Sequence, residues 1–345
     1  MADVTILGAG IFGLSIAWWC QKKGASVLVI DPAGPGAGAS GGVVGALAPH
    51  TPDNWNEKKA FQLDSLLMAQ DFWDEIAEVS GMSPGYARLG RLQAIADERM
   101  LTLSRDRVED ARTIWRGEAV WEVIEAEKRA FAPLTPTGFL IYDTLSARIH
   151  PRRACAALAA AIVANGGVIA SDGAQSGKVV HATGVAGLEG LKAVMGWNID
   201  VGVKGQGAVL DFAAPDMPQI FVDAIHIIPH EDGTTAIGST SERDFTDPNT
   251  TDERLDDVIA RAKQSVPALR DAEVIERWAG LRPRARTRAR SPLLGAHPLY
   301  DGQFMANGGF KIGFGVAPKV GQVMADLVLE GQGAIPPDFL PENAL

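Results

Sequence analysis

Two cysteines in 345 residues are too few for a disulfide framework, and Cys20 and Cys155 sit at no spacing that a metal site uses. Cys20 falls within an apolar helical pattern, where a buried structural thiol is expected. Basic charge is also scarce. Lys and Arg number 32 against 42 Asp and Glu, a net charge of -10, which argues against a chain whose task is to bind nucleic acid or an anionic membrane. No apolar run approaches the roughly 20 residues of a membrane span, and strand-like residues begin at Asp3 with no basic segment ahead of them, so no secretory signal is read. The expectation is a reducing, cytoplasmic setting. The chain also lacks a zinc-like cluster and a hydrolase elbow, so neither a metal nor a protein nucleophile is expected to carry its chemistry.

What the chain has in quantity is glycine. Its 38 glycines gather in short clusters, which read as turns and close backbone approaches rather than low complexity. The length allows one large domain or two associated ones with a substantial core. Val4-Thr5-Ile6-Leu7 reads as a strand, Ile11 to Lys22 as a helix closed by Gly24, and Val27-Leu28-Val29-Ile30 as a second continuous apolar strand of a covered parallel sheet. Residues 32–49 read as a loop, and Asn56 to Val79 as one amphipathic helix. A strand at Leu92-Gln93-Ala94-Ile95, charged helical stretches such as Asp97 to Arg107, a helix over Pro151–Asn165 and a strand at Val179-Val180 follow. Antiparallel alternation marks Ala208-Val209-Leu210, Ile225-His226-Ile227-Ile228 and Thr235-Ala236-Ile237. Helices close the reading at Asp252–Val266 and Pro318–Leu329. The expected fold is α/β: a Rossmann-like dinucleotide-binding domain built from 1–80, 150–200 and 280–345, with an α+β substrate domain on an antiparallel sheet from 81–149 and 201–279.

The strongest local signal is Gly8-Ala9-Gly10-Ile11-Phe12-Gly13, between a predicted strand and a predicted helix. Such glycines allow a tight turn, approach of the backbone to a pyrophosphate and close helix–strand packing, while the helix N-terminus faces the phosphates. Asp31 follows 31 − 13 = 18 residues after the last glycine, at the end of the second strand, where a carboxylate accepts hydrogen bonds from ribose hydroxyls. The fingerprint by itself leaves NAD and FAD open.

Beyond it, the chain resembles the D-amino-acid oxidase group of flavoproteins, and within that group glycine oxidase. The resemblance rests on the loop Gly38 to His50, on Ala182-Thr183-Gly184, on Trp278-Ala279-Gly280-Leu281-Arg282-Pro283, and on Gly309-Phe310-Lys311-Ile312-Gly313 followed by Val316-Ala317-Pro318. It implies non-covalent FAD held by Gly8, Gly10, Ile11, Phe12, Gly13, Asp31, Pro32, Ala39, Ser40, Val44, Gly45, Ala46 and Gly184. Further FAD contacts are implied along Gly309, Phe310, Lys311, Ile312, Gly313, Phe314 and Gly315. A glycine run feeding a helix N-terminus there suits the negative charge of a reduced flavin.

The resemblance also implies the reaction: oxidation of the C–N bond of a small amino acid or secondary amine, with hydride passing from Cα to flavin N5 and giving an imine and hydrogen peroxide. Arg282 matches the family's carboxylate-binding arginine, a role suited to a planar guanidinium. Lys311 stands where glycine oxidase has an arginine near the active-site entrance. His226 aligns with a tyrosine lining its substrate pocket. His50 is expected to face water. The run from Arg284 to Arg290, where relatives carry a shorter turn, reads as a solvated loop. Two other readings stay open: a dehydrogenase of the same fold passing electrons to a quinone or carrier, and a transfer-RNA-modifying oxidase, which the acidic charge opposes. The expected partners are a small-molecule amine and oxygen or an electron carrier, with no nucleic acid and no membrane span; an oligomer is compatible.

Overall fold

A computed structural model describes residues 1–126, 131–196, 201–285 and 291–343. The chain opens with β1 (Val4–Leu7), α1 (Ile11–Lys22), β2 (Val27–Ile30) and the two-residue β3 (Ala46–Leu47). Two helices then replace the single one expected over 56–79: α2 (Glu57–Leu67) and α3 (Ala69–Ser80) break at Met68. The break lets α2 bury its face on the C-terminal helix while α3 packs elsewhere, against the helix that begins at Pro151. Asn56 caps α2 by accepting from the Lys59 N–H at 3.0 Å, as an N-terminal Asn should.

Next come β4 (Arg91–Ala94), α4 (Glu98–Ile114), β5 (Trp121–Glu125), β6 (Phe139–Asp143) and β7 (Ala147–Arg148). Helix α4 runs past Arg107, the last residue of the stretch read as helical, because Leu101, Ser104 and Ala111 continue its buried stripe. Then follow α5 (Pro151–Ala164), β8 (Val168–Ala170), β9 (Lys178–His181), α6 (Gly184–Met195), β10 (Gly202–Asp211), β11 (Gln219–Val222), β12 (Ile225–Pro229) and β13 (Thr235–Gly238). The chain ends through α7 (Glu253–Ser265), β14 (Glu273–Pro283), β15 (Leu293–Ala296), β16 (Phe304–Asn307) and α8 (Gly313–Glu330).

Two sheets organise these elements. The first has the order β15-β16-β9-β1-β2-β8, parallel except where β15 pairs antiparallel with β16. Helix α1 packs on α5 and α8, and the apolar residues of β1 and β2 join theirs in the main core. Cys20 and Cys155 are both buried free thiols in that core, as expected for Cys20. The second sheet has the order β14-β10-β13-β12-β11-β4-β6-β5 and is antiparallel except between β4 and β11. Strand β14 runs through residue 280, so Arg282 stands on this second sheet, opposite Val203 of β10.

Register gives the second sheet two unlike faces, because side chains alternate along a strand. Leu92, Leu140, Ile220, Ile227, Ile237, Ala208 and Leu210 form one buried cluster, and α7 covers it with Leu255, Val258, Ile259 and Ala262. The opposite face carries, in direct cross-strand succession, Gln93, Phe221, His226, Gly238, Gly207 and Trp278. Two residues along from Trp278 comes Gly280, and two further comes Arg282. Here the loop before β3 leans in. A Cβ placed on Gly238 would lie 2.8 Å from Val44 Cγ2, and one on Gly207 would lie 3.4 Å from the same atom. This face, which carries a smaller apolar cluster around Val209, Ile228 and Ala236, therefore looks toward the glycine-turn half of the molecule.

The crossing of α1 and α8 depends on one small residue. A Cβ on Gly321 would lie 2.5 Å from Trp19 Cδ1 and 2.6 Å from the Ser15 carbonyl oxygen. Gly321→Val should force the helices apart and lower stability by about 1–3 kcal/mol, read as a drop in the urea unfolding midpoint; an unchanged midpoint would contradict this account of the crossing.

Candidate active site

The turn at Gly8 is dictated by backbone geometry. Gly8 has φ +104°, a region that side chains avoid, and a Cβ there would strike the Ala182 carbonyl oxygen. The Ala182 N–H in turn donates to the Leu7 carbonyl at 2.7 Å, so Ala182-Thr183-Gly184 is pressed against the first glycine turn. A Cβ on Gly13 would collide with the Gly8 carbonyl oxygen. Gly10 differs: its missing Cβ would meet only the Ser40 hydroxyl, at 3.3 Å. That side of the turn is a bare cradle.

At the start of α1 the Ser40 hydroxyl accepts from the Ile11 N–H at 3.0 Å, while the N–H groups of Phe12 and Gly13 have no acceptor within the described chain. Two free donors at a helix N-terminus form an anion seat. Asp31 lies beside them, held by the Ala9 N–H at 2.8 Å and the Ala33 N–H at 3.0 Å, with lone pairs of its carboxylate left over for other donors. Pro32 is exposed and Ala39 half-buried. Gly45 and Ala46 lead into β3, which pairs with β7.

The C-terminal glycine run reaches the same place. A Cβ on Gly309 would sit 2.8 Å from Phe12 Cζ, so this loop rides on the first helix. Asn307, 4% exposed, ties it down: its amide donates to the Gly184 carbonyl at 2.9 Å, and its side-chain oxygen accepts from the Gly308 N–H at 2.7 Å. Asn307 was not singled out in the sequence, where an Asn before two glycines reads as an ordinary turn. Helix α8 starts at Gly313 without a side-chain cap, Ile312 standing at its N-cap. Phe314 and Gly315 form its first turn, and a Cβ on Gly315 would reach Leu47 at 3.8 Å.

On the sheet, the guanidinium of Arg282 occupies the space where a side chain of Gly205 would be. It donates from Nη1 to the Thr240 carbonyl at 3.1 Å and from Nη2 to Ser239 Oγ at 2.6 Å. Burial brings its pKa down to about 10, offset in part by the nearby Glu242. Two of a guanidinium's five N–H donors are thus spent on neutral groups.

Behind them lies a buried network. Glu242 accepts from the Thr240 hydroxyl, from Gln206 Nε2 at 2.9 Å and from Arg254 at 2.7 Å, and Lys204 Nζ is 3.9 Å away. Burial pushes the Glu242 carboxyl up, but the Thr240, Gln206 and Arg254 donors outweigh it and hold it ionised below its ordinary value. Thr240 therefore links Glu242, through its hydroxyl, to Arg282, through its carbonyl. Gly205, Ser239, Thr240 and Glu242 were not among the expected site residues. The alternation Gly205-Gln206-Gly207 within a strand is the one sequence signal that marks a close approach.

His226 faces the same side. Its Nδ1 is buried without a partner, its ring lies 4.7 Å from that of Phe221, and burial followed by the charges of Arg91, Lys311 and Arg282 pulls its pKa down to about 3. Arg91 is itself paired with the buried Asp143, Nε to Oδ2 at 3.0 Å. Lys311 is exposed as a whole, yet its ammonium is held below its ordinary pKa by partial burial and then by Arg282 and Arg284. The site thus brings Arg282, His226 and Lys311 together. His50 does not face water as expected: it is half-buried, with its backbone N–H and its ring nitrogen both on Gln62 Oε1. Of the arginine run, Arg286, Arg288 and Arg290 lie outside the described residues.

A family model described as FAD dependent oxidoreductase matches residues 3–327. The chain belongs to this family. Glycine oxidase of Geobacillus kaustophilus is 27% identical over 365 residues, covering 94% of this chain and 92% of that protein. The crystal structure of a glycine oxidase from the same species superposes with a TM-score of 0.81 at 24% identity, over 98% of each chain. Iminodiacetate oxidase from Chelativorans sp. BNC1 superposes with a TM-score of 0.84 at 21% identity, again over 98% of each. This FAD-dependent oxidoreductase has the features the cofactor demands: a bare cradle at Gly10, two free N–H donors at α1, a carboxylate at Asp31 and an uncapped α8 N-terminus. Among its described residues no helix is long and apolar enough to cross a membrane and no cluster of side chains could hold a metal.

Two outcomes follow. Glu242→Ala removes the acceptor of Thr240 and Arg254 and leaves Gln206 and Lys204 only Asp252, so stability should fall by on the order of 3 kcal/mol in denaturant titrations, with Glu242→Gln recovering part; equal stability of all three proteins would refute the network. His226, with a folded pKa of about 3 against an unfolded value of about 6.5, withholds a proton that the unfolded chain binds between those limits. Stability should therefore fall as pH drops through that window. His226→Gln should flatten the decline between pH about 6.5 and 4, and an unaltered pH–stability curve would show that the imidazole is not held neutral.

Proposed function

We propose that this chain oxidises the carbon–nitrogen bond of a small amino acid or secondary amine, with dioxygen as the final acceptor. Bound FAD supplies the hydride acceptor, at N5 of its ring system. The carbon loses a hydride and the nitrogen a proton, so that C–N becomes C=N; dioxygen takes up two electrons and two protons and leaves as hydrogen peroxide. The observation that carries this reading is Arg282. It is a buried guanidinium on the face of the second sheet turned to the cofactor half, bonded among the described residues only to neutral groups, with donors left for a carboxylate. Membership of the FAD dependent oxidoreductase family and likeness to glycine oxidases support it.

The chain's own residues have separable tasks. Gly10, Phe12, Gly13 and Asp31 seat the cofactor's phosphates and ribose, with Ile11, Pro32, Ala39, Ser40, Gly45, Ala46 and Gly184 around them. Val44 and the run Gly309 to Gly315 flank its ring system, where the α8 N-terminus favours negative charge. Arg282 grips the substrate carboxylate and sets the position of Cα. His226, kept neutral by burial, lines the same face beside Phe221 without adding a charge.

The test begins with acid precipitation of purified protein, which should release free FAD. Peroxide release should then be screened over glycine, sarcosine and a panel of D-amino acids. In Arg282→Ala the flavin spectrum should persist, while kcat/KM for the best amino acid falls by about 100-fold or more, the value of one or two charge-assisted hydrogen bonds. Arg282→Lys should recover a fraction only, because a point charge replaces a fork. Unchanged kinetics in the alanine variant would remove the amino acid as substrate.

A further inference from the structure

The rim beside Arg282 holds more positive charge than one substrate carboxylate answers. The Phe310 N–H donates to the Pro283 carbonyl at 3.0 Å, which fastens the C-terminal loop to the strand end one residue past Arg282. Phe310 then brings two further cations together: Arg284 Cζ lies 5.2 Å from its ring centroid and Lys311 Nζ lies 5.8 Å from it. The Arg284 N–H continues the strand ladder to the Val201 carbonyl at 3.3 Å, so alternation places Arg284 on the face of Arg282.

Neither Arg284 nor Lys311 forms an ion pair among the described residues. Elsewhere many arginines have acidic partners, Arg152 with Glu276, Arg153 with Glu231 and Asp232, Arg254 with Glu242, Arg261 with Asp223 and Asp257, and Arg277 with Asp256, and those without one, such as Arg88 and Arg148, bond backbone carbonyls. Arg282, Arg284 and Lys311 are thus three neighbouring cations with no acid bonded to them among the described residues, and like charges held together repel unless an anion joins them. Positive charge serving the cofactor alone would need no spread of cations along the rim from Arg282 to Arg284 and Lys311. We infer that the site selects amino-acid or secondary-amine substrates carrying a second carboxylate, the first gripped by Arg282 and the second received between Arg284 and Lys311. This rests on the amine-oxidising reading above and narrows it.

The test compares ligands that differ by one carboxylate, on FAD-loaded protein. Isothermal titration with malonate and succinate against acetate and propionate gives a readout independent of turnover. The dicarboxylates should bind about tenfold tighter or more, the value of one added charge-assisted contact, and the advantage should shrink with added salt. Kinetics should follow, with kcat/KM for iminodiacetate above sarcosine and for D-aspartate above D-asparagine. Lys311→Gln and Arg284→Gln, singly and together, should bring the dicarboxylate-to-monocarboxylate ratio toward one, with far-UV circular dichroism and the urea unfolding midpoint reporting that the fold is kept. Equal binding of both ligand classes, or a preference that survives the double variant, overturns the inference while the amine-oxidising reading stands. If no amine of either class is oxidised and Arg282→Ala leaves acetate binding unchanged, it is the underlying reading that falls.

Discussion

The guanidinium of Arg282 lies where a side chain at Gly205 would stand, and this substitution of one residue's head group for its neighbour's Cβ constrains much of what surrounds it. Because the group is buried, its charge requires compensation. Thr240 and Ser239 supply dipoles, and Glu242 supplies a counter-charge one hydroxyl further away. Glu242 in turn would be untenable in the interior without Gln206, Arg254 and Lys204. The residues behind Arg282 thus keep it charged and leave its outer edge free, since none of them is a carboxylate in direct contact with it.

The second constraint is the division of the eight-stranded sheet into one face covered by a helix and one facing the cofactor half, where a smaller apolar cluster lies beside polar and charged groups. Helix α7 covers the first with a conventional apolar stripe. The second faces the loop before β3, and its glycines at 207 and 238 let Val44 come down on bare backbone. Polar groups such as His226 Nδ1 and Gln93 Nε2 are buried there without partners.

Electrostatics separates the molecule from its site. The chain as a whole is acidic, and its surface arginines are largely paired. Around Arg282 the sign reverses: burial together with neighbouring cations depresses the pKa of both His226 and Lys311. A cluster of cations on an anionic body raises the local potential, to which small anions are drawn.

The cofactor half was legible from residue order because its determinants are local. Gly8 to Gly13 specify a turn by backbone conformation, Asp31 follows at the end of the next strand, and the sheet continues the apolar runs that predict it. Even there the sequence misjudged His50, whose partner Gln62 comes from a later helix, and the break at Met68, which answers to packing partners and not to propensity. The substrate half depends on register. Arg282 and Lys311 stood out through motifs and His226 through its alignment, but nothing in their local sequence says that β14, β10, β13 and β12 set Arg282 and His226 on one face, that the loop after β16 brings Lys311 beside them, or that Gly205, Thr240 and Glu242 stand behind the arginine. Strand alternation was readable from residue order; which strand lies beside which, and at what offset, is a property of pairs far apart in the chain, and only the folded sheet decides it.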